Sequence, residues 1–371
     1  VSRTAALPPR RRALLAGAAA LLGGLAPLRG PQAAERLEPD EEALFLPGTA
    51  RPTPDGRLEI DIHAWVYERE RRWGLNAVFA RYLGLDLKNL SPAARLRFNQ
   101  RTALFHAESE EGKVFELDFD GAAGRLTTPP SGADGRVDMR AVIDMPQASP
   151  ASEWQRFHAV TGPGELLHRF RGQSLIVPAQ GLSVISDIDD TIKRTQVRDR
   201  RAMLLNTFAR RFEPTPGMAA FYRSLARVPD TRFHYLSASP IQLYPALADF
   251  VRDADFPAGS MHLRESTTWR TLIPGDQDSR THKLRVIERL LADFPARRFM
   301  LVGDSGESDP EIYAQVARTH PSRIAHIAIR DVTGEDARAE RYAAAFDGID
   351  AALWQVFPGD RAPSPGEQFA R

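Results

Sequence analysis

The chain has 371 residues, 43% of them hydrophobic, enough to build cores for two ordinary domains, and it is neither disordered nor low-complexity as a whole. It contains no cysteine, which excludes disulfides, thiol nucleophiles and thiolate metal sites. The balance of 49 basic against 48 acidic residues is uneven: Arg3, Arg10, Arg11, Arg12 and Arg29 all precede residue 35 with no acid among them, so the rest carries 44 against 48, or −4. That argues against an obligatory nucleic-acid partner, whose phosphates need a net basic face.

Taken in order, residues 1–34 read as an export signal, with a basic start, an Ala/Leu/Gly run from Ala13 to Leu28 and a small-residue exit at Ala33-Ala34. Arg10-Arg11-Arg12-Ala-Leu-Leu is similar to a twin-arginine signal, with Pro9 where Ser or Thr is usual. The expected location is therefore a bacterial periplasm, with an uncleaved membrane anchor as the alternative. Residues 35–56, which hold Pro, Gly and acids, are expected to be a linker. A β-rich domain is expected over 57–180, with a sandwich as its candidate form. Its first strand runs from Leu58 to Val66, with Leu58, Ile60, Ile62 and Ala64 on one face. A helix follows through Leu75, Val78, Phe79, Tyr82 and Leu83, and Ser91-Pro92 supplies the N-cap and first position of another. Period-two alternations run through Phe115, Leu117 and Phe119 and through Val137, Met139, Ala141, Ile143 and Met145. More strands are expected between Trp154 and Val177.

From 181 to 356 the texture becomes strands alternating with helices, which predicts a doubly wound α/β domain. Strands are expected at 182–187, 232–237, 261–264, 298–303 and 324–330, and the Pro/Gly-rich stretch 357–371 as a disordered tail. The first of these strands, buried and β-branched, stops at Asp187, where Asp187, Asp189 and Asp190 crowd into four positions beside Thr191. Carboxylates that close cannot all ionise without a cation. Asp187 as nucleophile and Asp189 as proton donor would suit phosphoryl transfer through an aspartyl-phosphate. A polar turn is the bland alternative; an EF-hand is excluded because residues 187–198 lack its ligand spacing, its Gly and its Glu.

Ser237 ends the next long strand, where a hydroxyl could hold a phosphate oxygen or simply cap a loop. Lys283 opens a helical stretch and could neutralise both a phosphoryl group and the acids around it; alone it would read as a surface lysine. Asp304 and Asp309, five apart after the strand Phe299-Met-Leu-Val-Gly, can add ligands for a hard cation. Gly303-Asp-Ser-Gly also occurs in chymotrypsin-like proteases, but the α/β texture contradicts that reading and no local pattern identifies the His and Asp partners.

In this order, Asp187-x-Asp189-x-Thr191, Ser237, Lys283 and Gly303-Asp304-x-x-x-x-Asp309 resemble the four motifs of haloacid-dehalogenase-superfamily phosphatases. More narrowly, Ser-Val-Ile-Ser-Asp-Ile-Asp-Asp-Thr-Ile-Lys, Tyr-Leu-Ser-Ala-Ser-Pro and Gly-Asp-Ser-Gly-Glu resemble the actin-patch-associated phosphatidate phosphatase family and its bacterial relatives. The resemblance implies a haloacid-dehalogenase-like sheet and an Mg²⁺-dependent phosphatase that turns phosphatidate into diacylglycerol and phosphate. Asp187, the Asp189 carbonyl, Asp304 and Asp309 would hold Mg²⁺, with Ser237 and Lys283 on the phosphate. About forty-five residues separate Thr191 from Ser237, and Ser237 from Lys283, leaving little room for a cap. An uncapped site suits a lipid phosphate, or a phosphoprotein; a soluble ester, or lipid binding without catalysis, are the other readings. Arg200 to Phe212 reads as an amphipathic segment whose face of Leu204, Leu205, Phe208 and Phe212 would either meet a membrane surface or pack on the core. No oligomeric state is indicated.

Overall fold

The computed structural model describes residues 35–69, 74–144, 152–160, 170–265 and 275–363. The expected export signal at 1–34, Met145 and the tail residues 364–371 lie outside these. Among the described residues no helix is long and apolar enough to cross a membrane. Residues from Ala34 on form one compact unit.

The first part of the chain contains β1 (Glu35–Arg36), β2 (Glu41–Leu46), β3 (Gly48–Pro52), β4 (Leu58–Glu68), α1 (Leu75–Leu83), α2 (Pro92–Thr102), β5 (Glu108–Ser109), β6 (Lys113–Val114), β7 (Glu116–Phe119), β8 (Arg125–Thr127), β9 (Arg136–Ile143), β10 (Trp154–Val160) and β11 (Phe170–Ile176). Apart from the short β1–β6 pair these strands make a nine-stranded sheet in the order β2-β4-β3-β11-β10-β7-β8, with β5 and β9 also on β4. Alternate residues of β4 and β7, Leu58, Ile60 and Ile62 with Leu117 and Phe119, are buried in one core with Phe45, Phe157 and Phe170. Residues 35–56 are therefore not a linker. Gly48 and Pro52 look like turn residues, but Gly48 is small because a Cβ there would run into the carbonyl of Asp61 on the crossing strand.

Ser91 caps α2 as expected, accepting the Ala94 N–H at 3.3 Å with Pro92 at the first position. The expected apolar face of α1 is split: Phe79 and Leu83 are buried, whereas Val78 and Tyr82 are 57% and 49% exposed.

The second part contains β12 (Leu182–Asp187), α3 (Arg200–Phe208), α4 (Met218–Leu225), β13 (Arg232–Pro240), α5 (Tyr244–Asp253), β14 (Gly259–Arg264), α6 (Asp276–Asp293), β15 (Arg298–Asp304), α7 (Asp309–Thr319), β16 (Ile324–Arg330), α8 (Glu340–Ala345) and β17 (Trp354–Phe357). The six strands form a sheet ordered β14-β13-β12-β15-β16-β17, parallel throughout. Neighbouring strand residues feed opposite faces. Val184, Tyr235, Met300 and Val302 pack with α3, α4 and α5; Ile185, Leu236, Leu301 and Ile327 pack with α6, α7 and α8. Chain order runs outward from β12 in one direction and from β15 in the other, so the C-terminal ends of these two adjacent strands flank a crevice, the position where doubly wound sheets bind ligands.

The sequence reading missed edge strand β17 and placed its tail boundary too early: Arg330 donates to the Gly359 carbonyl at 2.6 and 3.1 Å. The two parts also share a core, because Leu46, Trp65, Phe79 and Phe98 from the first cluster with Leu204, Phe208 and Met218 from the second. This decides the expectation for Arg200 to Phe212. Phe208 packs edge-on against Phe79, Phe98 and Phe105 at centroid distances of 5.8, 6.3 and 5.6 Å. Leu204 is buried with it, while Leu205 and Phe212 lean on the same core. The apolar face of α3 packs on protein, whereas Arg200, Arg201, Arg210 and Arg211 remain exposed. Phe208→Ala should cost about 3–5 kcal/mol in denaturant-induced unfolding, a loss that a membrane-facing aromatic would not show.

Candidate active site

Asp187 is the last residue of β12 and Asp304 the last of β15, so strand pairing alone brings their carboxylates to one crevice. Asp309 begins α7, with Pro310 behind it in the first turn. Gly303 makes the approach possible, since a Cβ there would collide with the Asp309 carboxylate. Ligand oxygens of Asp187, Asp304 and Asp309 lie within 4.8 Å of one another, and all three residues are buried. Lys283, from α6, reaches in between: its Nζ lies 2.9 Å from Asp187 Oδ1, 2.6 Å from Asp309 Oδ1 and 2.9 Å from Glu307 Oε2.

One ammonium does not balance these four carboxylates. Burial, then the neighbouring acids, push Asp187 and Asp304 well above the usual carboxylate range. Burial also raises Asp309, against the opposing pull of Lys283. Burial lowers Lys283, but Asp187, Asp309 and Glu307 outweigh it and hold the lysine well above its ordinary value. Asp187 Oδ2 is buried without a hydrogen-bond partner. Asp304 is better served: its Oδ1 accepts the Gly306 N–H at 2.7 Å and its Oδ2 the Thr191 hydroxyl at 3.4 Å. An all-oxygen donor set with an orphaned, charge-crowded oxygen fits a hard cation.

The loop after β12 builds a second group. Asp190 adopts φ of +56° and its carboxylate accepts the N–H groups of Thr195, Gln196 and Val197, each at 2.7 Å, which pays for that conformation and folds the loop back. The fold-back delivers Lys193 and Thr195 to Asp189 Oδ1, both at 2.7 Å. Ser237 and Ser239 donate to Asp189 Oδ2 at 2.9 and 3.0 Å. Burial raises the Asp189 carboxyl, but the charge of Lys193 and the donors around it win and pull it down to about 2.

All the residues singled out in the sequence, Asp187, Asp189, Thr191, Ser237, Lys283, Asp304 and Asp309, thus converge on the end of the β12–β15 crevice. Ser237 makes its contact through Asp189. Glu307, Lys193, Thr195 and Ser239 were not singled out. Lys193, Ser239 and Glu307 lie inside the motif stretches quoted above, but only the fold of the Asp190 loop and the ends of β13 and β15 shows where they point.

Residues 182–331, the span that carries this geometry, match the family of the phosphatidate phosphatase APP1 catalytic domain. Those residues belong to the APP1-like family. Phosphatidate phosphatase APP1 of Saccharomyces cerevisiae is 39% identical over 159 residues, 42% of this chain and 26% of the yeast protein. An uncharacterized protein of Schizosaccharomyces pombe is 31% identical over 186 residues, 47% of this chain and 29% of its own length. The chain spans less than a third of the curated relatives it matches. A family two carbohydrate esterase from Cellvibrio japonicus aligns over 82% of this chain and 95% of its own, with 10% identity and a TM-score of 0.21, from which no shared fold follows. The APP1-like stretch begins at the first residue of β12 and ends just after β16, so it contains every residue of the carboxylate centre.

The raised carboxyls make a stability prediction for the metal-free protein. A group with a folded pKa above its unfolded value destabilises the fold once pH rises past the unfolded value, near 3.8 for Asp. Asp304→Asn in chelator should therefore raise Tm at pH 7 by roughly 2–4 °C. The gain should shrink as pH falls toward 4, and a scan of Tm against pH for both proteins measures it.

Proposed function

We propose that the chain is a haloacid-dehalogenase-like, Mg²⁺-dependent phosphatase that hydrolyses phosphatidate to diacylglycerol and phosphate. The observation that carries the lipid is a pocket of about 80 Å³ that joins Asp187, Asp189, Ser237 and Glu307 to an apolar side of Val197, Met203, Leu204, Phe208, Pro240 and Leu243. An ionic centre at the mouth of an apolar pocket matches a phosphate on a greasy alcohol. The family of residues 182–331 supports the same chemistry. Export of the chain, read from residues 1–34, belongs to the same proposal and would place the site in a periplasm.

In this reading Asp187 attacks phosphorus, the bond from phosphorus to the glycerol oxygen breaks, and Asp189, having taken the proton of the entering phosphate monoanion, hands it to that oxygen. Water then attacks the aspartyl-phosphate, Asp189 takes a proton from it, and the bond to Asp187 breaks to release phosphate. The like charge of an entering phosphate raises the proton affinity of Asp189, which Lys193 holds ionised before substrate arrives. Ser237 and Lys283 bind phosphate oxygens. Asp187, the Asp189 carbonyl, Asp304 and Asp309 would hold Mg²⁺, which when bound offsets the charge of both the carboxylates and the phosphoryl group. The exposed Arg200, Arg201, Arg210 and Arg211 supply electrostatic attraction to an anionic lipid surface, in place of insertion.

Asp187→Asn should abolish phosphate release while keeping the fold, because uncatalysed monoester hydrolysis is slower than catalysis by up to ~10²¹-fold. Chelator should stop the parent protein and Mg²⁺ restore it. Unchanged turnover in either experiment would remove the mechanism. Met203→Glu places a charge on the apolar wall and should lower kcat/KM on phosphatidate micelles by roughly tenfold or more, with little change on a soluble aryl phosphate. Equal effects on both substrates would return the enzyme to a soluble ester or a phosphoprotein.

A further inference from the structure

A separate cavity of about 100 Å³ lies between the nine-stranded sheet and α6. Its α6 wall is one helix face, His282, Arg285, Val286 and Arg289, spaced at three and four residues, while Lys283 on the same turn reaches the carboxylate centre instead. Opposite stand His63 of β4, Arg136 and Asp138 of β9 and His262 of β14.

The ionic groups around this cavity are unevenly paired. Asp138 is shared by Arg136 and His63, the latter at 2.6 Å. Glu265 is shared by Arg136 at 2.8 Å and Arg285 at 3.4 Å. Asp134 also lies 3.7 Å from Arg136, so Arg136 and Arg285 are each supplied with carboxylates, whereas Arg289 has none within ion-pair distance among the described residues. Its contact is with His262 Nδ1 at 3.0 Å. From there a buried chain runs through Ser260 Oγ to His234 and on to Ser183, with steps of 2.9, 2.8 and 3.2 Å. Arg289 is therefore held in place by a hydrogen bond that uses one of its five donors, and its charge acts on Asp138 only at longer range. His282 is 6% exposed, and neither of its ring nitrogens makes a hydrogen bond of good geometry.

We propose that this cavity binds a small oxyanion, inorganic phosphate, at a site distinct from the carboxylate centre. A guanidinium without a carboxylate in contact disfavours a metal ion here, and among the described residues three ligand atoms of His, Asp or Glu converge only at Asp187, Asp304 and Asp309. The volume admits a tetrahedral anion. Hydrogen phosphate also carries both a donor and acceptors, which suits the His282 imidazole beside an arginine. Ordered water could fill the same space but would leave Arg289 without an anion in contact.

The test is thermal denaturation of the metal-free protein in chelator against rising phosphate, at ionic strength held constant with chloride. The parent and Asp187→Asn should both show a saturable rise in Tm, since ligand that binds only the folded state stabilises it by mass action. Arg289→Met should weaken the apparent phosphate affinity by roughly tenfold or more. No saturable rise in the parent, or an Arg289→Met response equal to the parent's, overturns the proposal. Because Asp187→Asn has no turnover, these results do not depend on the phosphatase reading. Should Arg289→Met fail to fold, tungstate soaked into crystals of the parent decides: anomalous density between Arg289 and His282 supports the site, and density elsewhere or nowhere overturns it.

Discussion

Four carboxylates, Asp187, Asp304, Asp309 and Glu307, share one ammonium, Lys283, at the end of a buried crevice. Three of the four are buried, and the energetic cost of keeping them charged there is borne by the rest of the fold. It explains why the strands that carry Asp187 and Asp304 are the two innermost of a six-stranded sheet, packed on both faces. It also explains why α6 must be long enough to present Lys283 from its middle while Ile287, Leu290 and Leu291 anchor it to the sheet. A less rigid frame would let the acids separate and hydrate.

How much of this could be read from residues alone depends on what forces each residue type. Acids at the ends of β-branched runs are dictated by chemistry at a strand terminus, so Asp187, Asp304 and Asp309 were legible together with the strands that carry them. Residues whose role is set by a loop were not. Lys193 reaches Asp189 only because Asp190 takes a left-handed conformation and collects three backbone donors, and no spacing rule encodes that. The strands at 41–52 were hidden because Gly48 serves close packing in a place where glycine usually signals a turn. The apolar residues of α1 misled in the opposite direction, since Val78 and Tyr82 share its pattern but not its burial. Edge strand β17 has four residues and ends at Phe357, too short for a period to show.

The loop around Asp189 and the cluster around Lys283 use the same ingredients to opposite ends. Asp189 is saturated with donors and stays a carboxylate in the resting protein. Asp187, two residues earlier, has one oxygen on Lys283 and the other on nothing. Two acids of one motif are therefore set apart by environment and not by sequence position, which is how a pair of identical side chains acquires two roles.

The shared core has a consequence for where this protein can be cut. Residues 182–331 are a unit of sequence similarity, yet the aromatic cluster that roofs α3 takes Phe79, Phe98 and Phe105 from outside it. Expressed alone, that segment would present Leu204 and Phe208 to solvent as an uncovered apolar patch, an invitation to self-association. The boundary of kinship and the boundary of autonomous folding do not coincide here.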